Sequence, residues 1–284
     1  MPGTLFVVAT PIGNLEDISF RAVRALREAD LIAAEDTRRT ATLLGRHDIR
    51  TPTTSFHEHN ERSKLPALLA QIAAGRTVAV VSDAGTPGIS DPGFRLVRGA
   101  VEAGARVEVI PGPTAAITAL VASGFPTNSF TFLGFPPARG EARRVWLAAL
   151  AREPRTTIFF EAPHRVRATL EALSALAGNR QVAVARELTK LHEQVLRGTI
   201  LDVLLQLEAP RGEFTVVVAP PDEADETAVA PPDDEGIWTE FCQLTEFSVL
   251  SRRAAIGAIA RKHGLPPKTV YAAVERVKKT RAEP

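Results

Sequence analysis

The residues best suited to chemistry lie in one loop, Ser82–Gly93, which reads Ser-Asp-Ala-Gly-Thr-Pro-Gly-Ile-Ser-Asp-Pro-Gly. Gly85 and Gly88 allow backbone conformations that other residues disfavour, and their missing side chains let a ligand approach the main chain. The two prolines stiffen the loop and leave fewer N–H donors. The remaining backbone amides, Asp83 and Ser90 would then supply the polar contacts. We therefore expect this loop to hold a ligand against its backbone.

The loop matches no common nucleotide-binding motif. No Gly-Lys-Ser/Thr ending follows Gly88, as a P-loop requires, and the turn Ala9–Asn14 lacks the G-x-G-x-x-G fingerprint of dinucleotide sites. An ordinary tight turn between a strand and a helix is the competing interpretation, because glycine and proline are common turn residues. Two aspartates and two candidate helix caps within the same loop favour a ligand site.

A second candidate for chemistry is the segment Arg186-Glu-Leu-Thr-Lys190, which brings a carboxylate and an ammonium close together in sequence. Glu187 and Lys190 suit acid–base chemistry or the stabilisation of developing charge, as does Glu161 in another segment. Charged residues at strand ends also serve as helix caps or ion-pair partners. The chain has no G-x-S-x-G, H-E-x-x-H or kinase signature, so hydrolase and kinase functions lack support.

The sequence gives little support for a metal site or a reactive thiol. His57 and His59 offer two imidazoles, but no third ligand has a recognisable spacing, so we favour a polar loop and expect no metal. The single cysteine, Cys242, excludes an internal disulfide and a cysteine-rich metal cluster.

The composition is that of an ordinary soluble protein, with 45% hydrophobic and 24% charged residues and a net charge of +1. A chain of 284 residues can bury a large core and is long enough for two or more domains. No apolar stretch has the length of a membrane span, and no signal-peptide leader precedes the first apolar run. We therefore expect a cytoplasmic protein with no membrane partner.

The elements that must position these residues alternate between strand and helix. Residues 1–124 contain apolar strand-like runs at Thr4–Thr10, Leu31–Ala34, Thr77–Val81 and Val107–Ile110. Helical spacing separates them, which predicts a parallel, doubly wound sheet. Residues 125–221 repeat the alternation and predict a second α/β domain. Polar clusters follow the strands in both domains, so we expect a ligand cleft between the domains.

The last part of the chain has a different character. Residues 222–235 are acidic and Pro-rich and predict a linker, whereas residues 236–284 carry nine Arg or Lys and four Glu. Two amphipathic helices, Leu250–Ala260 and Lys268–Val277, are joined by a short turn with a glycine, as in a helix-turn-helix. Arg252, Arg253 and Lys268 are candidates for phosphate contacts. A solvated helical hairpin is the alternative, because surface helices are often this basic.

Six segments together resemble one known family. They are Ala9-Thr-Pro-Ile-Gly-Asn-Leu15, Ala34-Glu-Asp-Thr-Arg38, Phe56-His-Glu-His-Asn60, Ser82–Gly93, Phe160-Glu-Ala-Pro-His-Arg165 and Arg186-Glu-Leu-Thr-Lys190. The combination closely resembles the RsmI family of ribosomal small-subunit RNA methyltransferases, within the tetrapyrrole-methylase superfamily. The superfamily's tetrapyrrole enzymes usually carry a Gly-x-Gly-Pro-Gly turn after strand one, whereas this chain has Ala9–Gly13 there. That departure favours the RNA branch.

The resemblance implies an S-adenosylmethionine-dependent 2′-O-methylation of a cytidine ribose in the decoding region of 16S rRNA, within the 30S subunit, by a homodimer. It also implies that the cofactor lies in the cleft between the two α/β domains. The cofactor-binding residues carried over by motif are Pro11, Asp83, Ala84, Gly85, Ile89 and Ser90 from the first domain, and Leu133, Phe160, Glu161, Glu187 and Thr215 from the second.

The reaction also suggests roles for charged residues. A ribose hydroxyl is a poor nucleophile at neutral pH, so we expect Lys190, with Glu187, to lower the cost of removing its proton. Arg38, Arg39, His57 and the basic tail would hold RNA phosphates. Two alternatives stay open: a tetrapyrrole or other small-molecule methyltransferase of the same superfamily, and a non-catalytic RNA-binding protein. The intact Asp83–Ser90 loop argues against the second.

Overall fold

The computed structural model describes residues 2–178, 180–207, 212–221, 233–246, 251–262 and 265–280. The chain divides into two units, Met1–Pro220 and Pro221–Pro284. The first unit contains two five-stranded sheets with their helices, and the described part of the second unit is helical. This architecture confirms the predicted fold class of α/β structure in two consecutive sheets followed by a small helical region.

The first sheet contains β1 (Thr4–Val8), β2 (Leu31–Ala34), β3 (Thr53–Ser55), β4 (Val78–Val81) and β5 (Arg106–Ile110). Its strands lie in the order β3-β2-β4-β1-β5, and all their pairings are parallel. Strand β4 is buried along its whole length, as expected for a sheet covered on both faces. Because β1, β2 and β4 run in the same direction, the residues that follow them meet at one edge. Strand β3 was not predicted, since it is only three residues long.

Five helices follow these strands: α1 (Phe20–Glu28), α2 (Thr37–Arg46), α3 (Glu61–Ala73), α4 (Phe94–Glu102) and α5 (Ala115–Ser123). Ser19 caps α1 by accepting a hydrogen bond from the Ala22 amide at 3.1 Å. The apolar spacing of the sequence predicts a helix over Thr40–Arg46, but α2 begins at Thr37. The reason is a cap at Asp36, whose Oδ1 accepts from the Arg38 amide at 2.8 Å and so fixes an earlier start.

The second sheet contains β6 (Phe130–Phe132), β7 (Thr156–Glu161), β8 (Gln181–Arg186), β9 (Gln194–Thr199) and β10 (Phe214–Val218), in the order β6-β7-β10-β8-β9. Only β6 and β7 are parallel; the other pairings are antiparallel. Central β10 therefore begins beside the ends of β7 and β8, where Phe214 pairs with Glu161 and Arg186. Helices α6 (Gly140–Arg152), α7 (Pro163–Ala177) and α8 (Ile200–Gln206) complete this part.

Helix α5 connects the two sheets. It follows the first sheet in the chain, but Ala116, Ala119 and Leu120 are buried in one cluster with Ile158 and Val217 of the second sheet. Small alanines allow the helix to approach the strands closely. The chain therefore packs the last helix of the first series against the second sheet, which fixes the two sheets as parts of one unit.

The second unit contains α9 (Asp234–Glu246), α10 (Arg252–Lys262) and α11 (Pro267–Thr280). The sequence predicted α10 and α11 but not α9, whose first residues fall in the predicted acidic linker. Ile237 and Phe241 of α9 are buried against Ile259 and Val270, so apolar burial outweighs the acidic start of the helix. Residues 222–232 of the predicted linker lie outside the described residues. Among the helices that the structure describes, none has both the length and the apolarity needed to cross a bilayer.

Candidate active site

A cavity of about 410 Å³ lies in the first unit, lined by residues from the ends of strands in both sheets. Its volume falls within the range of about 300–1,000 Å³ that is typical of small-molecule and cofactor sites. Ten of the residues that the sequence predicted for catalysis or cofactor binding line it together. They are Asp83, Ala84, Gly85, Ile89, Ser90, Phe160, Glu161, Glu187, Lys190 and Thr215.

The Ser82–Gly93 loop is pinned to the end of the first strand. Thr10 and Gly85 exchange backbone hydrogen bonds in both directions, at 2.9 and 3.0 Å, and the Thr10 hydroxyl donates to the Ser82 carbonyl at 3.0 Å. Gly85 has a φ of +77°, in the left-handed region that favours glycine. The loop therefore presents its backbone to the cavity from a fixed position, as its glycine content predicted.

The segment that contains Leu188 and Lys190 also lines the cavity, and it approaches the end of β1 at Gly13. A Cβ atom on Gly13 would lie 2.6 Å from the Leu188 carbonyl oxygen and 2.7 Å from Lys190 Cγ. A Cβ atom essentially never lies this close to another non-bonded atom, so only glycine lets the two walls come together here. The first strand–helix turn and the 187–190 segment are consequently packed against each other at the cavity.

Glu187 and Lys190 form an ion pair in which Nζ lies 3.0 Å from Oε1. The Lys190 amide also donates to the Glu187 carbonyl at 3.0 Å, which closes a tight turn. Glu187 and Thr189 have positive φ values of +52° and +65°, a conformation that costs energy in residues other than glycine. The turn thus holds an ammonium and a carboxylate side by side at the cavity wall, the arrangement predicted for charge stabilisation.

Glu161 lines the cavity, but both oxygens of its carboxylate already accept hydrogen bonds from other side chains. Its side chain is fully buried, Oε1 accepts from Arg165 Nε at 2.6 Å, and Oε2 accepts from the Thr169 hydroxyl at 2.6 Å. Arg143 lies 3.8 Å from the same carboxylate. The main contribution of Glu161 is therefore to hold the end of β7 in place.

Three further carboxylates line the cavity, on Glu35, Asp91 and Glu213. Asp91 belongs to the predicted ligand loop, but none of the three was predicted individually as a site residue. Burial raises the pKa of Asp91 to about 7, helped by the nearby negative charges of Glu35, Glu213 and Asp83. Burial also raises the pKa of Glu35. Glu35 directly follows β2, and Glu213 directly precedes β10, so position at a strand end was the signal that could have found them.

Arg39 belongs to the cavity wall. The guanidinium lies 3.1 Å from Asp83 Oδ2, while Asp83 Oδ1 accepts from the Asp36 amide at 3.0 Å. Glu35 Oε2 in turn accepts from the Asp83 amide at 3.0 Å. These contacts tie the residues after β2 to those after β4, and they place a residue predicted for RNA binding beside the predicted cofactor loop.

Two predicted cofactor-binding residues do not line this cavity. Pro11 lines a neighbouring pocket of about 260 Å³, which shares Arg39 and Asp83 with the first. Leu133 packs against the apolar core of the second sheet, and its amide donates to the Ile158 carbonyl at 2.9 Å.

The remaining residues predicted for RNA binding have varied surroundings. Arg38 is exposed and donates through two nitrogens to Asp36, and this pair holds the pKa of the carboxyl well below its usual range. His57 lies in a loop where Nε2 is 3.0 Å from the Asn60 side-chain amide. Its Nδ1 atom is buried with no hydrogen-bond partner among the described residues. Within the part of the chain that the structure describes, no three potential metal ligands cluster.

In the second unit, Arg252 is engaged in structure. It pairs with Glu275, and its guanidinium carbon lies 5.6 Å from the centre of the Tyr271 ring and 6.0 Å from that of Phe241. Arg253 and Lys268 are exposed at the starts of α10 and α11. The three predicted phosphate contacts therefore differ: one is bound within the unit, and the side chains of the other two reach solvent.

The family model described as Tetrapyrrole (Corrin/Porphyrin) Methylases matches residues 4–204. The chain is 44% identical to ribosomal RNA small subunit methyltransferase I of Halalkalibacterium halodurans, over 95% of this chain and 93% of that protein. It is 45% identical to the protein of the same name from Synechocystis, over 95% and 96% of the two chains.

Solved structures show the same fold. The methyltransferase CobJ aligns with a TM-score of 0.58 at 22% identity, covering 77% of this chain and 94% of that chain. Uroporphyrin-III C-methyltransferase from Thermus thermophilus, complexed with S-adenyl homocysteine, aligns with a TM-score of 0.54 at 18% identity, covering 76% and 96%. The resemblance inferred from the motifs, and the methyltransferase class that it implied, are confirmed. The chain belongs to the tetrapyrrole methylase family and, within it, to the family of ribosomal RNA small subunit methyltransferase I.

Proposed function

We propose that this protein transfers a methyl group from S-adenosylmethionine to the 2′-oxygen of a cytidine ribose in the decoding region of 16S rRNA. The observation that carries the proposal is the cavity in which the pinned Ser82–Gly93 loop faces the Glu187–Lys190 pair. The curated relatives are named as methyltransferases of small-subunit ribosomal RNA, which supports an RNA acceptor.

The residues present fit S-adenosylmethionine by charge. Six carboxylates line the cavity, on Glu35, Asp83, Asp91, Glu161, Glu187 and Glu213, whereas the only basic residues that line it within the described part of the chain are Arg39 and Lys190. Arg39 pairs with Asp83, Lys190 with Glu187, and Arg165 with Glu161. Three carboxylates therefore have no ion-pair partner among the described residues. A cavity with this surplus of negative charge favours a cationic ligand such as a sulfonium.

The loop supplies the other features of a cofactor site. Asp83, Ala84, Gly85, Ile89 and Ser90 would hold the cofactor from the first sheet, with Phe160 and Thr215 across the cavity. Apolar Ile89 and Phe160 suit the flat faces of an adenine ring, and backbone amides suit its polar edges. We assign supporting positions to Pro11, Leu133 and Glu161. When bound, the cofactor supplies an electrophilic methyl group, and the protein's task is to orient the acceptor.

Lys190 and Glu187 act on the acceptor hydroxyl in this proposal. A 2′-hydroxyl gives up its proton more easily when a positive charge stabilises the alkoxide that forms. The Lys190 side chain is 41% exposed and lies at the cavity wall, so it is accessible to a ribose. Glu187 holds the ammonium in place through the 3.0 Å ion pair. Orientation of the acceptor oxygen by the walls would supply much of the remaining acceleration.

The RNA backbone would be held by basic residues outside the reacting centre. Arg38 is 90% exposed and Arg39 is 67% exposed, and both lie at the start of α2 beside the cavity. Arg253 and Lys268 are exposed in the second unit, while Arg252 and His57 take supporting positions. Because the whole chain has a net charge of only +1, the basic residues that contact RNA would be concentrated on one part of the surface.

We further propose that the protein acts in the cytoplasm as a homodimer on the 30S subunit. Large apolar side chains are almost fully exposed on the first unit, including Phe20 at 96% and Leu191 at 92%. Such residues are candidates for a contact with a second copy. Light scattering of the purified protein measures the oligomeric state directly; a monomer at assay concentration would contradict this part of the proposal.

The reaction is tested by incubating the protein with S-adenosylmethionine labelled in its methyl group and three acceptors: 30S particles from cells lacking the enzyme, naked 16S rRNA, and a tetrapyrrole precursor. The proposal predicts label in RNA and none in the tetrapyrrole. Label in the tetrapyrrole alone would support the small-molecule alternative. Cofactor binding without transfer to any acceptor, or RNA binding without cofactor binding, would contradict the proposed reaction.

A further inference from the structure

We propose that Asp91 and Glu35 form a proton-linked charge sensor in the cavity, which discriminates a sulfonium ligand from its neutral thioether product. The inference rests on the proposed use of S-adenosylmethionine. It goes further by assigning the residues that recognise the cofactor's charge and promote release of the spent form.

The position of the pair supports this role. Asp91 belongs to the loop after β4, and Glu35 directly follows β2, so parallel pairing of these strands brings both carboxylates to one sheet edge. Both line the cavity and both are partly buried. Among the described residues, neither has an ion-pair partner, whereas their neighbour Asp83 has Arg39 at 3.1 Å. Within the described part of the chain, both carboxylates thus line the cavity without a salt bridge, and Glu35 accepts one hydrogen bond, from the Asp83 amide.

The protonation of Asp91 and Glu35 depends on the charged groups of the elements around them. Glu213 before β10 and Asp83 act on Asp91 with negative charge, while Ser82 offers it a hydrogen bond. Arg39 of α2 and His57 of the loop after β3 act on Glu35 with positive charge, and Asp83 opposes them. Negative neighbours and burial dominate at Asp91, where the pKa is raised to about 7. Asp91 therefore exchanges its proton in the neutral range, and the nearby Glu35, whose own pKa burial also raises, adds to the negative field that acts on it.

A cationic ligand changes this balance. A positive charge in the cavity stabilises the ionised carboxylates, so its binding expels the proton into solvent. Methyl transfer converts the sulfonium to a thioether and removes that positive charge. The carboxylates then repel one another again until they regain a proton. By linkage, affinity for the sulfonium form must rise with pH across the titration of the pair, while affinity for the thioether form does not.

Calorimetry of the full chain with S-adenosylmethionine and S-adenosylhomocysteine tests this directly. Each ligand is titrated at pH 6, 7 and 8 in buffers of different ionisation enthalpy, which gives the number of protons released. Both ligands carry the same α-amino group, so the ratio of their Kd values cancels its titration. At pH 7 we expect about half a proton released with the sulfonium ligand and none with the thioether. The discrimination should increase by up to about tenfold between pH 6 and pH 8.

Two variants connect the effect to the pair. Asp91→Asn should abolish the proton release and make the discrimination independent of pH. Glu35→Gln keeps an oxygen to accept from the Asp83 amide but removes a negative neighbour, so the midpoint should move to lower pH. Glu102→Gln is the matched control, because this exposed carboxylate lies on α4, the helix that follows the loop. Thermal unfolding shows which variants are folded.

The outcomes separate this inference from the proposed function. If neither ligand binds to the folded wild-type protein, both the proposed cofactor and the proposed sensor are wrong. If both ligands bind and their affinity ratio is the same at every pH, or Asp91→Asn retains the proton release, the sensor is wrong while the proposed function stands. Proton release that disappears in Asp91→Asn and persists in Glu102→Gln is the expected result.

Discussion

Lys190 Nζ lies 3.0 Å from Glu187 Oε1 in a turn where Glu187 itself adopts a φ of +52°. Gly212 contacts Glu187 Oε1 so closely that any larger residue at position 212 would displace the carboxylate. Strain of this kind persists where the surrounding structure enforces it, and it is frequent at functional sites. The ion pair thus lies on a strained turn, with a glycine at position 212 leaving room for its carboxylate.

Replacement of Lys190 tests its role in charge stabilisation. We expect Lys190→Ala to lower kcat by about 10²-fold, the usual effect of losing one group that stabilises an oxyanion. The Kd for the cofactor should change little, because Lys190 acts on the acceptor. Single-turnover assays with saturating RNA measure the chemical step, and Lys190→Arg should recover part of it. Wild-type turnover by Lys190→Ala with bound RNA would show that the ammonium has no such role.

A pair of glycine substitutions tests the packing of the cavity walls. Gly13→Ala would place Cβ within 2.7 Å of the 188–190 segment, so we expect a lower melting temperature and at least tenfold weaker cofactor binding. Gly45→Ala is the matched control. Gly45 lies in α2 with open space around it, and alanine there should stabilise the helix by up to about 1 kcal/mol. Equal cofactor affinity in both variants would contradict the close contact at Gly13.

The buried Glu161 carboxylate should matter for stability. Glu161→Ala leaves the largely buried guanidinium groups of Arg165 and Arg143 without their carboxylate partner, and removal of one member of a buried pair typically costs about 3–5 kcal/mol. The exposed pair of Glu141 and Arg144 serves as the comparison, since Glu141→Ala should cost less than about 1 kcal/mol. Chemical denaturation measures both values. Similar costs for the two variants would mean that Glu161 is not the structural anchor described above.

The raised pKa of Asp91 predicts a pH dependence of stability. Its pKa is about 7 in the folded protein and about 3.9 in an unfolded chain, so the folded state binds the proton more tightly. This stabilisation is complete below pH 4 and is lost as pH rises through 7. Asp91→Asn cannot titrate, and its melting temperature relative to wild type should therefore increase between pH 5 and pH 8. A constant difference across that range would contradict the raised pKa.

The second unit offers a test of RNA binding that separates charge from folding. Arg253→Ala and Lys268→Ala remove exposed cations. Each should therefore reduce the slope of log RNA affinity against log salt concentration by about one, without lowering the melting temperature. Arg252→Ala removes the ion pair to Glu275 and the contacts with two rings, so it should destabilise the unit. Unchanged salt dependence in both exposed-cation variants would exclude those residues from the RNA contact.

The sequence predicted those elements whose conformation depends on residues that are adjacent in the chain. The Ser82–Gly93 loop was identified because its glycines, prolines and aspartates are adjacent in the chain. Strand β9 was missed because it is a partly polar edge strand that contains Arg197 and Gly198. Helix α9 was missed because its acidic first turn continues the composition of the predicted linker.

The remainder of the site depends on contacts between distant segments. Asp91 owes its raised pKa first to burial and then to the negative charges of Glu35 and Glu213, which are far from it in sequence and near it only through the order of strands. The position of α5 against the second sheet likewise follows from packing rather than from chain order. Such relationships have no local signal, because they arise when strand pairing brings separate loops to one edge.

The central claim is tested most directly by mapping 2′-O-methylation of 16S rRNA at nucleotide resolution. A bacterial strain lacking its own enzyme is supplied either with this chain or with its Lys190→Ala variant, and ribose methylation is read from resistance to alkaline cleavage. We expect one restored methyl group, on a cytidine ribose of the decoding region, with wild type and a strongly reduced level with the variant. No restored ribose methylation by a folded wild-type protein that binds S-adenosylmethionine would contradict it.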